Sequence, residues 1–165
     1  MELLPIETRR AVLRSLTEAD VGAVHAILND EETTAAVSWR QPDLESTARW
    51  VRSRTAQERE NGFSMWAVEL RATGEIVGLC GFLPHQHIAI ELGYVIRADH
   101  WGQGLASEVV PAALMAATKA SLDVFATIRS TNTRSLRVAR RAGLIQVGAL
   151  DDGTGRLLVF RTKAD

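Results

Sequence analysis

Hydrophobic positions along the chain change their period several times, and each change marks an element. Over residues 88–96, Ile88, Ile90, Leu92, Tyr94 and Ile96 alternate with other residues, which predicts a strand with one apolar face. Over residues 105–120 the period becomes helical, with Ala106, Val110, Ala113, Leu114 and Ala117 on one stripe. Between the two lies the polar turn Trp101-Gly102-Gln103-Gly104-Leu105-Ala106-Ser107. Its glycines lack a Cβ, so the backbone can turn tightly and approach a ligand closely. Consecutive N–H groups that lead into a helix N-terminus form a concave anion site, and a phosphate or pyrophosphate is its natural occupant.

The same patterns organise the rest of the chain. Residues 8–16 alternate weakly and suggest a first strand. Thr17-Glu18-Ala19-Asp20 is a helix start, followed by Val21, Val24, Ile27 and Leu28 at helical spacing. Residues 33–42 read as irregular. Pro42-Asp43 opens a second helix, with Leu44, Ala48, Val51 and Ala56 as its buried stripe and Asn61-Gly62 as its stop. Residues 63–70 and 76–83 read as an antiparallel hairpin about Ala72-Thr73-Gly74-Glu75, and the strand at 88–96 continues the meander. A short strand at 122–128 follows a helix, which implies a parallel crossover. Ser130-Thr131-Asn132 caps a helix that Gly143 ends, and strands at 144–150 and 157–162 close around Asp151-Asp152-Gly153. Pro111 lies within the helix after the glycine turn and predicts perturbed early turns without a break.

Length and composition narrow the class. A chain of 165 residues favours a single domain spanning 1–165. Its composition, 46% hydrophobic and 24% charged, is that of a globular protein. A formal net charge of -1 supplies no global field for nucleic acid, so no direct nucleic-acid binding is expected. The single cysteine, Cys80, sits in an apolar run and fits a reducing compartment. The N-terminal segment lacks a signal-peptide core and no apolar run reaches spanning length, so a cytoplasmic protein with no membrane partner is expected. No His/Cys/Asp spacing resembles a metal site.

Gly102-x-Gly104-x-x-Ser107 approximates the dinucleotide fingerprint, with Asp123 downstream, which makes a nicotinamide-dependent oxidoreductase one rival reading. Against it, residues 97–100 separate strand from glycine, the preceding strand belongs to a meander, and Asp123 lies near a strand's start. A nucleotide triphosphatase loop is excluded because no Gly-Lys-Ser/Thr follows the glycines.

Four motifs in order carry a resemblance. Thr8-Arg9-Arg10-Ala11-Val12-Leu13-Arg14 matches a T-x-R-L-x-L-R opening, with Ala11 in place of leucine. Glu91-Leu92-Gly93-Tyr94 matches an E-I-G-Y strand. Trp101-Gly102-Gln103-Gly104-Leu105-Ala106-Ser107-Glu108 matches W-G-K/Q-G-Y/L-A-T/S-E. Asn132, Ser135, Val138, Gly143 and Leu144 match N-x-x-S-x-x-V-x-x-x-x-G-F, with leucine for the final phenylalanine. Over nearly its whole length the chain resembles the GNAT superfamily of acyl-CoA N-acyltransferases, and within it the Rim-type, ribosomal-protein N-terminal acetyltransferase-like branch. Trp101 departs from the wider superfamily's Q/R-x-x-G-x-G/A loop but agrees with that branch.

The resemblance implies an α/β (α+β) fold: a mixed, mostly antiparallel sheet of about seven strands flanked by helices. It implies transfer of an acetyl group from acetyl-CoA, as co-substrate, to a primary amine (a protein N-terminus or a small amine) by direct attack. By the same resemblance, Gln103, Gly104, Leu105, Ala106 and Ser107 hold the CoA pyrophosphate. Tyr94, Val95 and Ile96 pair with the pantetheine arm, with an amide near Val95 facing the thioester oxygen, and Asn132 is both a helix cap and a pantetheine contact. Gly93 marks a bulge that splays the strand from its neighbour. Glu91 is the candidate base, acting through water, the alternative being a solvated strand glutamate. Many superfamily members carry a tyrosine acid at the position of Ala139; Ser135 is the substitute donor to the CoA sulfur, the alternative being a serine that bonds locally.

Several assignments stay open at this level. One of Arg134, Arg137, Arg140 and Arg141 is expected at the CoA adenosine phosphate, the others on a solvated helix face. His85 and His87 precede the central strand, where they can face an acceptor, and His100 lies in the loop before Trp101. Trp39, Trp50 and Trp66 serve as core or as acceptor walls, Trp66 as core. A non-catalytic acyl-CoA-binding module is the other rival class. Monomer and homodimer, and the identity of the amine, are not legible.

Overall fold

The computed structural model describes residues 3–85 and 89–162. His87 and Ile88, named above, lie outside the described residues. The strands are β1 (Ile6–Glu7), β2 (Ala11–Arg14), β3 (Met65–Leu70), β4 (Ile76–His85), β5 (Ala89–Ile96), β6 (Val124–Arg129), β7 (Ile145–Asp151) and β8 (Arg156–Arg161). The helices are α1 (Val21–Leu28), α2 (Glu31–Thr34), α3 (Leu44–Asn61), α4 (Ala106–Lys119) and α5 (Thr133–Arg141). One eight-stranded sheet has the order β1-β2-β3-β4-β5-β6-β8-β7. Every neighbouring pair is antiparallel except β5 and β6. The strand beyond the expected seven is β1, which pairs Ile6 with Leu13.

The strand period sorts side chains to the two faces of the sheet. In β3, Trp66 and Val68 pack with α4 and α5, whereas Met65 and Ala67 pack with α1 and α3. In β5, Leu92 and Ile96 join the first face and Val95 the second. Helix boundaries follow local chemistry. The Asp43 carboxylate accepts from Ser46 N–H at 2.7 Å to start α3, and Gly62 ends it at φ 78°. Asn132 Oδ1 accepts from Ser135 N–H at 3.1 Å to start α5. Helix α4 continues unbroken through Pro111.

Three expectations are corrected. Residues 33–42 are not wholly irregular: α2 reaches Thr34, capped by Asp30, whose carboxylate accepts from Thr33 N–H at 2.7 Å. The buried face of α3 is not led by Leu44, which is 56% exposed, but by Thr47, Val51 and Gln57. Those polar residues tolerate burial because Thr47 Oγ1 donates to Asp43 O and lies 2.8 Å from His25 Nδ1, while Gln57 Nε2 donates to Phe82 O. Gly93 is not a bulge: the β4–β5 register runs continuously through Gly81↔Gly93. The absent Cβ makes room for Trp39, whose ring carbons would lie 2.6 and 2.7 Å from it.

Candidate functional site

The site begins where β5 and β6 part. Their parallel pairing covers only Ile90↔Val124 and Glu91↔Phe125; beyond it β5 stays with β4, and β6 stays with β8. A cleft of about 1470 Å3 opens there, reached by Trp39, Glu91, Tyr94, Thr127 and Ser135. Arg97 N–H donates to Val77 O on β4. Antiparallel ladders alternate, so Val95, paired with Leu79, also turns its N–H to β4. The main-chain groups of Leu92, Tyr94 and Ile96 therefore face the gap, which corrects the expectation for Val95: its amide is turned to β4, and the neighbouring Tyr94 amide is the one that faces the slot. The Ile96 carbonyl accepts from Trp101 Nε1 at 2.7 Å, where the slot meets the glycine turn.

A second lobe continues from the slot to the glycine turn and α5, lined by Trp101, Gly104, Ser107, Asn132, Arg137 and Arg141 among others. Gly102 and Gly104 hold φ of 75° and 77°, a region that penalises a Cβ. The N–H groups of Gly102, Gln103, Gly104, Leu105, Ala106 and Ser107 meet no acceptor among the described residues; the first regular bonds are Glu108 and Val109 to Leu105 O. A run of unpaired donors at the start of a helix is a strong anion cradle. The Arg134 guanidinium lies 3.6 Å from the centroid of the Trp101 ring, so it acts as a cover for the tryptophan. Arg137 and Arg141 line the lobe; Arg140 is not among its lining residues.

At the opposite end, Glu91 is one-quarter exposed and accepts from Thr127 Oγ1 at 2.5 Å across the split. Its other oxygen lies 3.7 Å from His85 Nδ1. His85 stands edge-on to Phe125, and with Leu83 and Trp39 these side chains wall the cleft around the carboxylate. Of the other charges that line this cleft, Arg129 pairs with Asp152 and Arg161 with Asp123, while Arg134 and Arg137, toward the glycine turn, make no ion pair among the described residues. Thr127 was missed by sequence reasoning, because a threonine in a strand carries no signal of a partner on a strand that has split away. The segment that carries Trp39 is tied down at both sides, by Gln41 N–H to Leu28 O and by Ala98 N–H to the Thr33 hydroxyl.

Tyr94 presents a different face. Its hydroxyl is sealed from solvent and, although the Ser135 hydroxyl lies next to it, meets no well-formed hydrogen-bond partner among the described residues. Burial pushes its pKa up to about 12, against a small opposing pull from the neighbouring Ser135 hydroxyl. Cys80, its partner on β4, is fully buried and pushed up to about 12 by that burial, so it is no nucleophile. Of the other sequence candidates, His100 pairs with Asp99 beside the glycine turn, and Trp66 is core, with its Nε1 on Glu58. Asp123 sits at the start of β6 in its ion pair with Arg161, far from the role of a ribose-binding acid at a strand's end.

Comparison with known proteins agrees with this geometry. Residues 10–145 match a family model described as an acetyltransferase (GNAT) domain. The chain is 32% identical over 151 residues to the uncharacterized protein YkkB of Bacillus subtilis (strain 168), covering 83% of each. A putative GnaT-family acetyltransferase from Bordetella pertussis has the same fold, with a TM-score of 0.84 at 20% identity over 97% of this chain and 99% of that one. RimL, a ribosomal L7/L12 alpha-N-protein acetyltransferase solved in complex with coenzyme A, superposes with a TM-score of 0.82 at 19% identity over 95% of each chain.

Proposed function

Because the chain belongs to the GNAT acetyltransferase family, we propose that this acetyl-CoA-dependent acyltransferase moves the acetyl group to a primary amine that carries one positive charge, by direct attack. The observation that carries the reading is the continuity of three features. A row of unpaired N–H groups from Gly102 to Ser107 leads into the slot between β5 and β6, and the slot ends at Glu91. The residues present fit acetyl-CoA: the amides suit its diphosphate, the main-chain groups of Tyr94 and Ile96 suit an extended amide arm, and Arg137 or Arg141 suits its 3′-phosphate.

The chemistry assigns each group a task. Glu91, oriented by Thr127, takes the ammonium proton through water and leaves a nucleophilic amine. The amine nitrogen bonds to the thioester carbon, and the Tyr94 N–H, turned away from β4, donates to the oxygen as negative charge develops there. The C–S bond then breaks, Ser135 donates a proton to the departing thiolate and regains one, through water, from the nitrogen of the new amide, so that CoA leaves as the thiol and Glu91 returns the ammonium proton to solvent. Cys80, sealed in the core with a raised pKa, is not available as the nucleophile of a covalent intermediate, which favours direct attack.

Charge supports the acceptor class. Among the described residues that line the cleft, Glu91 is the carboxylate left without an arginine partner, because Asp152 is neutralised by Arg129. A polycation such as a polyamine or an aminoglycoside needs several such groups, whereas a monoamine or a peptide N-terminus needs one. Aromatic and aliphatic walls from Trp39, Phe125 and Leu83 favour an apolar group next to that amine. The test is an acceptor panel read by CoA release, with short peptides and monoamines set against spermidine and kanamycin. Peptides or monoamines turn over faster by kcat/KM if the reading is right; preference for the polycations overturns it. Glu91→Gln separates catalysis from background release.

A further inference from the structure

The main chain of the glycine turn makes few hydrogen bonds of its own, yet its peptides must point one way for the row of N–H groups to converge. The restraint comes from the other end of the chain. Arg10 main-chain N–H donates to Glu108 Oε1 at 2.6 Å, and Arg10 Nε donates to Glu108 Oε2 at 2.8 Å. The Thr8 hydroxyl donates to Glu108 Oε1 at 2.7 Å. With the carboxylate saturated in this way, Arg10 Nη1 reaches past it and donates to the Gln103 carbonyl at 2.9 Å.

That last bond has a directional consequence. A trans peptide places its C=O and N–H on opposite sides. Holding the Gln103 carbonyl on the Arg10 side therefore turns the Gly104 N–H to the other side, toward the lobe that Gly104, Ser107 and Arg137 line. We infer that Arg10, braced by Glu108 and Thr8, is a positioning residue that aims the glycine-turn amides at the diphosphate of the acyl carrier. The inference rests on the acetyl-CoA reading above. Arg10 has a second effect: Glu108 lies in the first turn of α4, and pairing removes a bare carboxylate from the neighbourhood of a bound anion. Lysine cannot replace this arrangement, because one ammonium group cannot fork between a carboxylate and a carbonyl as a guanidinium does.

The test measures calorimetric Kd values for CoA and 3′-dephospho-CoA with the wild type, Arg10→Met and Arg10→Lys, beside KM values for acetyl-CoA and S-acetylpantetheine. Both diphosphate ligands should weaken by about tenfold or more and by the same factor in either variant, as expected for loss of a charge-assisted hydrogen bond. The KM of S-acetylpantetheine, which has no diphosphate, should change less than threefold or so on the same scale. Glu108→Gln should reproduce the pattern in weaker form, which covers the case in which Arg10→Met does not fold. Unchanged CoA affinity in the Arg10 variants overturns the inference alone. So does a loss with CoA but not with 3′-dephospho-CoA, which would put Arg10 on the 3′-phosphate, and so does an equal loss with S-acetylpantetheine, which would mean general damage. A wild-type protein that binds no CoA overturns the acetyl-CoA reading itself, and this inference with it.

Discussion

Replacing Gly93 by alanine tests how the Trp39 segment closes the cleft. A Cβ at this position meets Trp39 Cη2 at 2.6 Å, Trp39 Cζ2 at 2.7 Å and Met65 Sδ at 3.4 Å. Carbon pairs rest at about 3.5–4.0 Å, so the ring must withdraw by roughly 1 Å. The strand cannot give way instead, because β5 is registered against β4 on both sides of Gly93. The ring can move, since it belongs to a loop, but its neighbours at Gln41 and Thr33 are tied. Overpacking of this kind costs about 1–3 kcal/mol. At roughly 2–4 °C per kcal/mol for a chain of this size, Tm should fall by about 2–12 °C. Acceptor KM should rise more than the KM of acetyl-CoA, because Trp39 walls the cleft near Glu91. Trp39→Leu removes the obstacle, so a double-mutant cycle by urea unfolding should give a coupling of about 1–2 kcal/mol in the compensating direction. Strictly additive losses, or a Gly93→Ala protein with Tm within about 1 °C of wild type, would refute the steric account.

Other perturbations address single groups. Glu91→Gln should lower kcat by about 100- to 10,000-fold, with CoA affinity by calorimetry retained; a loss under about fivefold removes Glu91 from the role of base. Tyr94→Phe deletes a buried hydroxyl with no well-formed partner among the described residues, so stability to urea should stay level or rise by up to about 1 kcal/mol, and a clear loss would show that the contact with the Ser135 hydroxyl is a full hydrogen bond. Asp20 concerns acid stability. Burial works to raise its pKa, but the Arg14 guanidinium and the Thr17 main-chain N–H and hydroxyl outweigh burial and hold it below the ordinary carboxylate value. A depressed folded-state pKa stabilises the fold above the unfolded value, and this contribution fades as pH falls through the folded value. Asp20→Asn should therefore flatten the loss of Tm below about pH 4, and an unchanged slope contradicts the assignment.

The parts of this molecule that were legible in the sequence are those whose cause is local. Asp43, Gly62, Asn132 and Gly143 act within a few residues, and the helix boundaries fall beside them. The glycine turn was legible for the same reason, as Gly102 and Gly104 take positive φ within one short segment. The misreadings have a cause elsewhere in the chain. Leu44 invited burial by its side chain alone, while Thr47 and Gln57 earned it through partners on other elements. Gly93 suggested a bulge because a missing Cβ has several uses, and only the approach of Trp39 decides among them. Thr127 carries no mark at all until β6 is set beside β5.

Arg10 and Glu108 fall between these cases. Each belongs to a motif that can be read separately, one at the start of the chain and one at the glycine turn, and nothing in either string says that they touch. In the fold β1 and β2 form the sheet edge, and α4 crosses to it, so residues 98 positions apart share one carboxylate. The opening motif then has a physical reason to accompany the turn: the turn's amides need an external brace, and the bend between β1 and β2, beside α4, supplies the arginine from the side opposite the ligand. On this argument the two motifs form one device, so substitution at Arg10 should be felt at the far side of the Gln103–Gly104 peptide rather than where the arginine itself lies.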